Sequence, residues 1–247
     1  MCRLNEVSAF DDRGTVSIRN LSFSIRAGEI MGIAGVDGNG QKEMAEVIAG
    51  QRRTSDGKIT IANVDITNKG TAAAARAGVG YVTDDRLGEA VVSTLTVAEN
   101  AVLKVFKQTP FSRFAAMNYK AIEAHTRGLI REFNVKTPGP WTELSTLSGG
   151  NIQKLLMARE LALHPQVLVC NKPTHGLDFM TSQFVLQTIR SQADGGMAVL
   201  LISSELEELF ELSDRVGVIY RGSLLEVFSR DDFDRETVGR LMLGIKS

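Results

Sequence analysis

Three stretches of this chain combine residue types and spacings that could do chemistry. In Leu147-Ser148-Gly149-Gly150-Asn151-Ile152-Gln153-Lys154, two glycines after a serine leave the backbone bare. Leu155, Leu156, Ala158, Leu161 and Ala162 then recur at helix-like spacing. Bare backbone at a helix N-terminus presents free N–H groups to an anion. Alone, the same pattern also fits a Gly-Gly turn before an amphipathic helix. The second stretch is Gly35-Val36-Asp37-Gly38-Asn39-Gly40. It follows the apolar run Ile30–Ala34 and precedes a helix expected from Gln41 to Ala49. Strand, glycine loop and helix is the context a phosphate cradle needs, because glycines let backbone N–H groups curl around an anion. The order is not the G-x-G-x-x-G of a dinucleotide loop. The third stretch is the apolar Val167-Leu168-Val169-Cys170, which runs into Asn171-Lys172-Pro173-Thr174-His175-Gly176-Leu177-Asp178.

From Leu147 to Asp178 the order and spacing resemble the signature motif, Walker B strand and D-loop of ABC-type ATPases. The glycine loop resembles their Walker A loop. The resemblance implies that the signature residues Leu147, Ser148, Gly149, Gly150, Asn151 and Gln153 cap ATP held by a second domain, across a head-to-tail dimer. Asn151 and Gln153 resemble the form found in sugar and nucleoside importers. It also implies a D-loop at Gly176, Leu177 and Asp178, and a nucleotide loop of Gly35, Gly38, Asn39, Gly40, Gln41, Lys42 and Glu43. Phe10 is the candidate to stack on adenine, and it equally fits an ordinary strand residue. Asp84 stands where the Q-loop glutamine belongs. The acidic Asp84-Asp85-Arg86 version resembles the second ATPase half of simple-sugar and nucleoside importers.

The resemblance fails where the chemistry should be. Gln41 stands for the phosphate-binding lysine and Lys42 for the magnesium-binding hydroxyl. Asn171 stands for the magnesium-positioning aspartate, Lys172 for the water-activating glutamate and Ser204 for the switch histidine. His125, His164 and His175 do not align with that last position. One step along a helix turns a side chain by about 100°, so Lys42 leaves the loop in another direction than its neighbour. Loss of a positioned base alone costs about 10²–10⁴-fold in rate. A lysine near its ordinary pKa is protonated and is no base. A carboxamide is a poorer magnesium anchor than a carboxylate. No catalytic position is expected intact and no metal ligand is assigned. ATP is the expected cofactor, with Mg2+ weak or absent at this chain's own site. The expected role is a degenerate domain that donates its signature to a partner. Two alternatives stay open: an active ATPase using Lys42 with a carboxylate such as Asp178 or Glu205, and an interaction module that has lost nucleotide binding.

These stretches need elements to position them. A chain of 247 residues with 43% hydrophobic content suits one large α/β domain. The expected fold is a P-loop NTPase, ABC-type core with an N-terminal antiparallel β subdomain and an inserted α-helical subdomain. The core is assigned to residues 1–87 and 146–247, and the helical subdomain with its linker to 88–145. Phe106, Phe111, Phe114 and Met117 either fill that subdomain's core or form a surface for a membrane subunit. Helices are expected over Thr96–Val105, with Thr94 or Thr96 as cap, and over Tyr119–Phe133. Formal charge is −1, which argues against a nucleic-acid binder relying on a broad basic surface. Cys2 and Cys170 give no disulfide framework. No signal peptide is visible, and no apolar run reaches the roughly 20 residues that span a bilayer. Membrane association is therefore expected through partners. Those implied are a complete ABC ATPase domain (a tandem half or a separate chain), transmembrane permease subunits and an extracytoplasmic substrate-binding protein. The expected location is peripheral, on the cytoplasmic face of the cell membrane.

Overall fold

Alternating apolar and polar residues build the first sheet. Strand β1 (Cys2–Phe10) buries Cys2, Leu4, Val7 and Ala9, and pairs antiparallel with β2 (Val16–Ile25). Asp11 closes the tip between them, its carboxylate accepting from the backbone N–H of Arg13 at 2.9 Å and of Thr15 at 2.8 Å. The computed structural model describes residues 1–114 and 116–245. After β2 come β3 (Ile30–Ala34), α1 (Gln41–Ala49), β4 (Asp56–Ile61), β5 (Val64–Asp65), α2 (Thr71–Arg76) and β6 (Val79–Val82). The antiparallel sheet has the order β2-β1-β4-β5.

The next elements are α3 (Val97–Val102), β7 (Ser112–Arg113), β8 (Ala116–Met117), α4 (Tyr119–Glu132) and α5 (Gly149–Leu161). They are followed by β9 (Val167–Asn171), α6 (Phe179–Asp194), β10 (Ala198–Ser203), α7 (Leu206–Leu212), β11 (Arg215–Tyr220), β12 (Ser223–Ser229) and α8 (Arg235–Met242). A second sheet has the order β12-β11-β3-β10-β9-β6. β10 runs parallel to both β3 and β9, β11 runs parallel to β3, and β12 is antiparallel. Strands β3, β9 and β10 are buried along their whole length. That burial is why they read as unbroken apolar runs, since parallel strands are covered on both faces. Cys170 is one of these core residues and its thiol is free. The register sets Ile202 level with both Ile33 and Asn171, and Ser203 level with Ala34. The carboxyl ends of β3, β10 and β9 therefore share one edge. In open α/β sheets, ligands bind outside that edge.

The chain divides into two compact units. One holds Met1–Tyr81, Pro165–Pro173 and the chain from Leu186 onward; the other holds Val82–His164 and Thr174–Val185. The first unit contains both sheets' central strands and one continuous apolar core. The second is largely helical, with a small core of Ala98, Val102, Phe111 and Ile122. Three local features stand out, the first of them a departure from the expected helix end. Helix α3 stops at Val102, because the next backbone bonds (Leu103 to Asn100, Val105 to Val102) close tighter three-residue turns. Of the four large residues between 106 and 117, only Phe111 enters the core; Phe114 is 90% exposed, and Phe106 and Met117 are also exposed. A π-helical turn spans Arg86–Ala90. Asp85 caps it by accepting from the Gly88 N–H at 2.9 Å.

Candidate functional site

In the first unit, β3 ends in the glycine loop and α1 begins at Gln41. The Gln41 side chain does not project outward: the residue is 4% exposed. Its Nε2 donates to the Val36 carbonyl at 3.0 Å, and its Oε1 accepts from the Asn39 backbone N–H at 3.1 Å. Asn39 Nδ2 adds a second bond to the Val36 carbonyl at 2.9 Å. The loop is braced from outside by main chain. The Arg221 N–H reaches Asn39 Oδ1 at 2.7 Å, and the Gly222 N–H reaches the Asn39 carbonyl at 3.0 Å. Gly40 has φ 102°, and a Cβ there would lie 2.4 Å from the Ser17 carbonyl oxygen. A Cβ at Gly222 would lie 2.4 Å from the same oxygen, so two glycines let three segments of backbone meet.

Lys172 follows β9 with a left-handed φ of 45°, anchored by its N–H to the Ile202 carbonyl at 2.8 Å. Its Nζ lies 2.5 Å from Asp37 Oδ1, inside the glycine loop. Asn171 is buried at the end of β9. Lys42 points away from this cluster and pairs with Glu46 at 3.6 Å, one turn along α1. Arg52 holds the same Glu46 at 2.5 Å and also bonds Asp12 at 2.7 Å and the Phe10 carbonyl at 2.8 Å. The Phe10 ring is exposed at the end of β1. Glu43 is half-buried in the first turn of α1, and Ser204 and Glu205 are exposed after β10. The fold thus brings together Asp37, Asn39, Gln41 and Lys172, and leaves Lys42 outside.

In the second unit, Ser148 is the N-cap of α5 but makes no side-chain cap bond. Its hydroxyl instead accepts from Asn151 Nδ2 at 2.9 Å, and Asn151 Oδ1 accepts from the Lys136 N–H at 2.8 Å. Ser148 and Gly149 are exposed, and Leu147 is half-buried. The two glycines sit close to neighbouring side chains. A Cβ at Gly149 would lie 3.2 Å from Arg86 Nη1, and one at Gly150 would lie 3.2 Å from the Thr181 side chain. Gln153 is fully buried and accepts from Arg86 Nε at 2.9 Å. Arg86 Nη2 donates to the His175 carbonyl. Asp84 lies 3.8 Å from His175 Nδ1. Gly176 takes a left-handed φ of 69°, and the Leu177 N–H closes a turn on the Thr174 carbonyl at 3.0 Å. Asp178 caps α6: it accepts from the Thr181 hydroxyl at 2.7 Å and from the Thr181 N–H at 3.0 Å. Those bonds, the hydroxyl's first, hold its carboxyl below the usual range. A groove of about 570 Å³ is lined by Asp84, Arg86, Leu87, Ser145, Leu147 and Gly149, among others.

Sequence reasoning singled out neither Asp37 nor Thr181, and read Arg86 only as part of the Asp84-Asp85-Arg86 resemblance. Asp37 carried a signal: an acidic residue inside a loop expected to hold an anion. Thr181 carried one as well, three residues after Asp178, while the partners of Arg86 are remote in the chain. Among the described residues, no group of three or more His, Cys, Asp or Glu is placed to hold a metal ion. No helix among them is long and apolar enough to cross a membrane.

A family model described as ABC transporter matches residues 18–175. The chain is similar to the nucleoside import ATP-binding protein NupA of Lactococcus lactis subsp. cremoris, 37% identical over 98% of this chain and 48% of that protein. It is 39% identical to the glucose import ATP-binding protein TsgD13 of Haloferax volcanii, over 98% of this chain and 44% of that protein. It is 37% identical to the guanosine import ATP-binding protein NupO of Bacillus subtilis, over 98% and 47%. The chain therefore spans about half the length of the curated relatives it matches. Among solved structures, a dimeric post-hydrolysis state of the ATP-binding cassette MJ0796, bound to ADP and Pi, superposes with a TM-score of 0.79. It is 21% identical and covers 94% of this chain and 100% of that one. A nucleotide-free cassette from an ABC transporter gives 0.78 at 18% identity, covering 99% of this chain and 95% of that one. These likenesses bear out the expected fold class.

Proposed function

The chain belongs to the ABC transporter family, and we propose that it is an ATP-binding domain of a sugar or nucleoside importer whose own phosphate loop is degenerate. In this reading its signature loop serves ATP held by a partner ATPase domain, either a tandem half or a separate chain. The partner assembly includes permease subunits and an extracytoplasmic substrate-binding protein, and the chain sits peripherally on the cytoplasmic face of the membrane. The sugar and nucleoside cargo of this reading rests on the similarity to NupA, NupO and TsgD13.

One observation carries the proposal: the glycine loop is engaged by the chain's own side chains. The Asn39 N–H, a group of the kind that cradles phosphate, is given to the Gln41 carboxamide. Lys172, the cation nearest the loop's acidic residue, is paired with Asp37. The family binds ATP, normally with Mg2+. At the positions implied to hold that metal stand Lys42, an ammonium, and Asn171, a carboxamide. Lys42 offers no oxygen and Asn171 only a neutral carbonyl oxygen, so this pair supplies no anionic ligand for a hard dication. We derive no hydrolytic step at this site. The signature loop contrasts with it: Ser148 and Gly149 stand exposed at a helix N-terminus whose cap side chain is turned to Asn151. Such an end favours phosphate oxygens.

The test is ATP turnover by the purified full chain, with and without Mg2+, and then by the assembled transporter. The full chain alone is expected to show no Mg2+-dependent turnover. In the assembled transporter, Ser148→Arg is expected to abolish turnover at the shared interface. Turnover by the chain alone that disappears on Lys42→Ala would overturn the degenerate-site reading.

A further inference from the structure

The Arg86 side chain bonds two segments far from it in sequence, helix α5 and the loop after β9. It opens the π-helical turn Arg86–Ala90, four residues beyond the end of β6. Turns of this kind are rare and concentrate at functional sites. Its Nε donates to Gln153 Oε1 at 2.9 Å, on the second turn of α5. Its Nη2 donates to the carbonyl of His175, in the loop after β9. Its Nη1 is the atom that a Cβ at Gly149 would meet, at 3.2 Å. Gln153 is fully buried, so its amide oxygen has little water to turn to if Arg86 is lost.

We propose that Arg86 is a positioning residue: its guanidinium fastens the signature loop to the loop that carries Gly176, Leu177 and Asp178, so that the two are presented as one rigid element. Three segments far apart in sequence meet on one planar cation. A guanidinium directs its donors in a fixed fork and serves two acceptors at set angles. A lysine is a point charge and cannot hold the same two acceptors in register. Asp84, two residues before Arg86, lies 3.8 Å from His175 Nδ1 in the same loop. Burial lowers the Arg86 pKa, with Asp84 opposing the shift; an arginine keeps its charge through such a change. The Asp84–Arg86 turn is thereby mechanically continuous with the Ser148-Gly149-Gly150 backbone.

The inference is tested first by backbone amide exchange on the full chain. Arg86→Gln is expected to raise exchange about tenfold or more in Gly149–Lys154 and in His175–Asp178 together, a loss of about 1.4 kcal/mol of protection. Helix α4, in the same unit, is expected to keep its protection. Arg86→Lys is expected to recover at most one of the two loops. If α4 also loses protection, Gln153→Met decides: near in shape and unbranched, it removes the carboxamide that accepts from Arg86. Faster exchange at His175–Asp178 in that variant supports the tie, and unchanged exchange there overturns it. The second test rests on the proposed donation of the signature to a partner's ATP, and uses the assembled transporter. Arg86→Gln is expected to raise the KM for ATP and lower kcat, whereas simple loss of folded protein lowers only the maximal rate. If Ser148→Arg leaves turnover unchanged, the donation reading fails. If Ser148→Arg abolishes turnover but Arg86→Gln moves neither constant, the role of Arg86 fails alone.

Discussion

At the scale of single residues, the molecule separates groups that could do chemistry from groups that hold structure. At the glycine loop Gln41 bonds the backbone of Val36 and Asn39, and Lys172 pairs with Asp37. The Lys172–Asp37 pair is half in water, with Asp37 67% exposed, and such a pair contributes about 1 kcal/mol or less. Glu160 is a different case. It is fully buried on α5 and receives Lys104 Nζ at 2.5 Å and Arg159 at 3.0 Å. Arg159 is itself buried and reaches the Ala90 carbonyl at 2.8 Å. Glu160→Ala strands that guanidinium without its counter-charge. The expected cost is about 3–5 kcal/mol, read as a lower urea midpoint with unchanged slope. The identities at 41, 42, 171, 172 and 204 are plain from the sequence alone. That Gln41 turns back into its own loop is not, because the direction of a side chain depends on the surrounding hydrogen bonds rather than on its type.

At the scale of elements, the strong periodicities were legible. The apolar runs that became β3, β9 and β10 carry their burial in their composition, and the ends of α1 and α4 fall close to where the pattern changes. Thr96 caps α3 through a capping box with Glu99, which is readable from the spacing of the pair. The short β7–β8 hairpin and the π-turn at Arg86 were not legible. Each is a short local structure, with too few residues to show a period. Helix α4 also carries a pH-dependent contact. His125 packs against Phe111 with ring centroids 5.0 Å apart, and burial lowers its pKa from the ordinary 6.5. A histidine with a depressed pKa binds fewer protons folded than unfolded. Its contribution is therefore whole above pH 6.5 and is lost as pH falls through the folded value. Loss of amide protection in α4 is expected as pH drops below 6.5, and His125→Phe is expected to flatten that dependence.

For the whole molecule, the expectation concerns linkage between nucleotide and folding. A ligand that binds only the folded state at 100 times its Kd adds about 2.7 kcal/mol of stability. Millimolar Mg-ATP added to the full chain is expected to leave its thermal midpoint unchanged, because the loop groups that would engage phosphate are already engaged. A clear rise would mean a phosphate can displace the Gln41 carboxamide. The family was legible from Leu147 to Asp178 and in the glycine loop, where each residue answers to a local geometric need. The roles of Asp37 and Arg86 were not, since each is defined by a partner far away in the chain.

The bracing of the glycine loop has a consequence for how such a chain can change over generations. Its outline is kept by main-chain atoms: the Arg221 and Gly222 N–H groups on Asn39, and the close approach of Gly40 and Gly222 to the Ser17 carbonyl. None of these atoms belongs to the side chains of Gln41, Lys42, Asn171 or Lys172. Changes at Lys42, Asn171 and Lys172 therefore leave these braces in place, while a change at Gln41 removes only its own two bonds to the loop. Mutations at the two glycines cannot be absorbed in that way. In this molecule shape and reactivity are inherited through different atoms, and one can outlast the other.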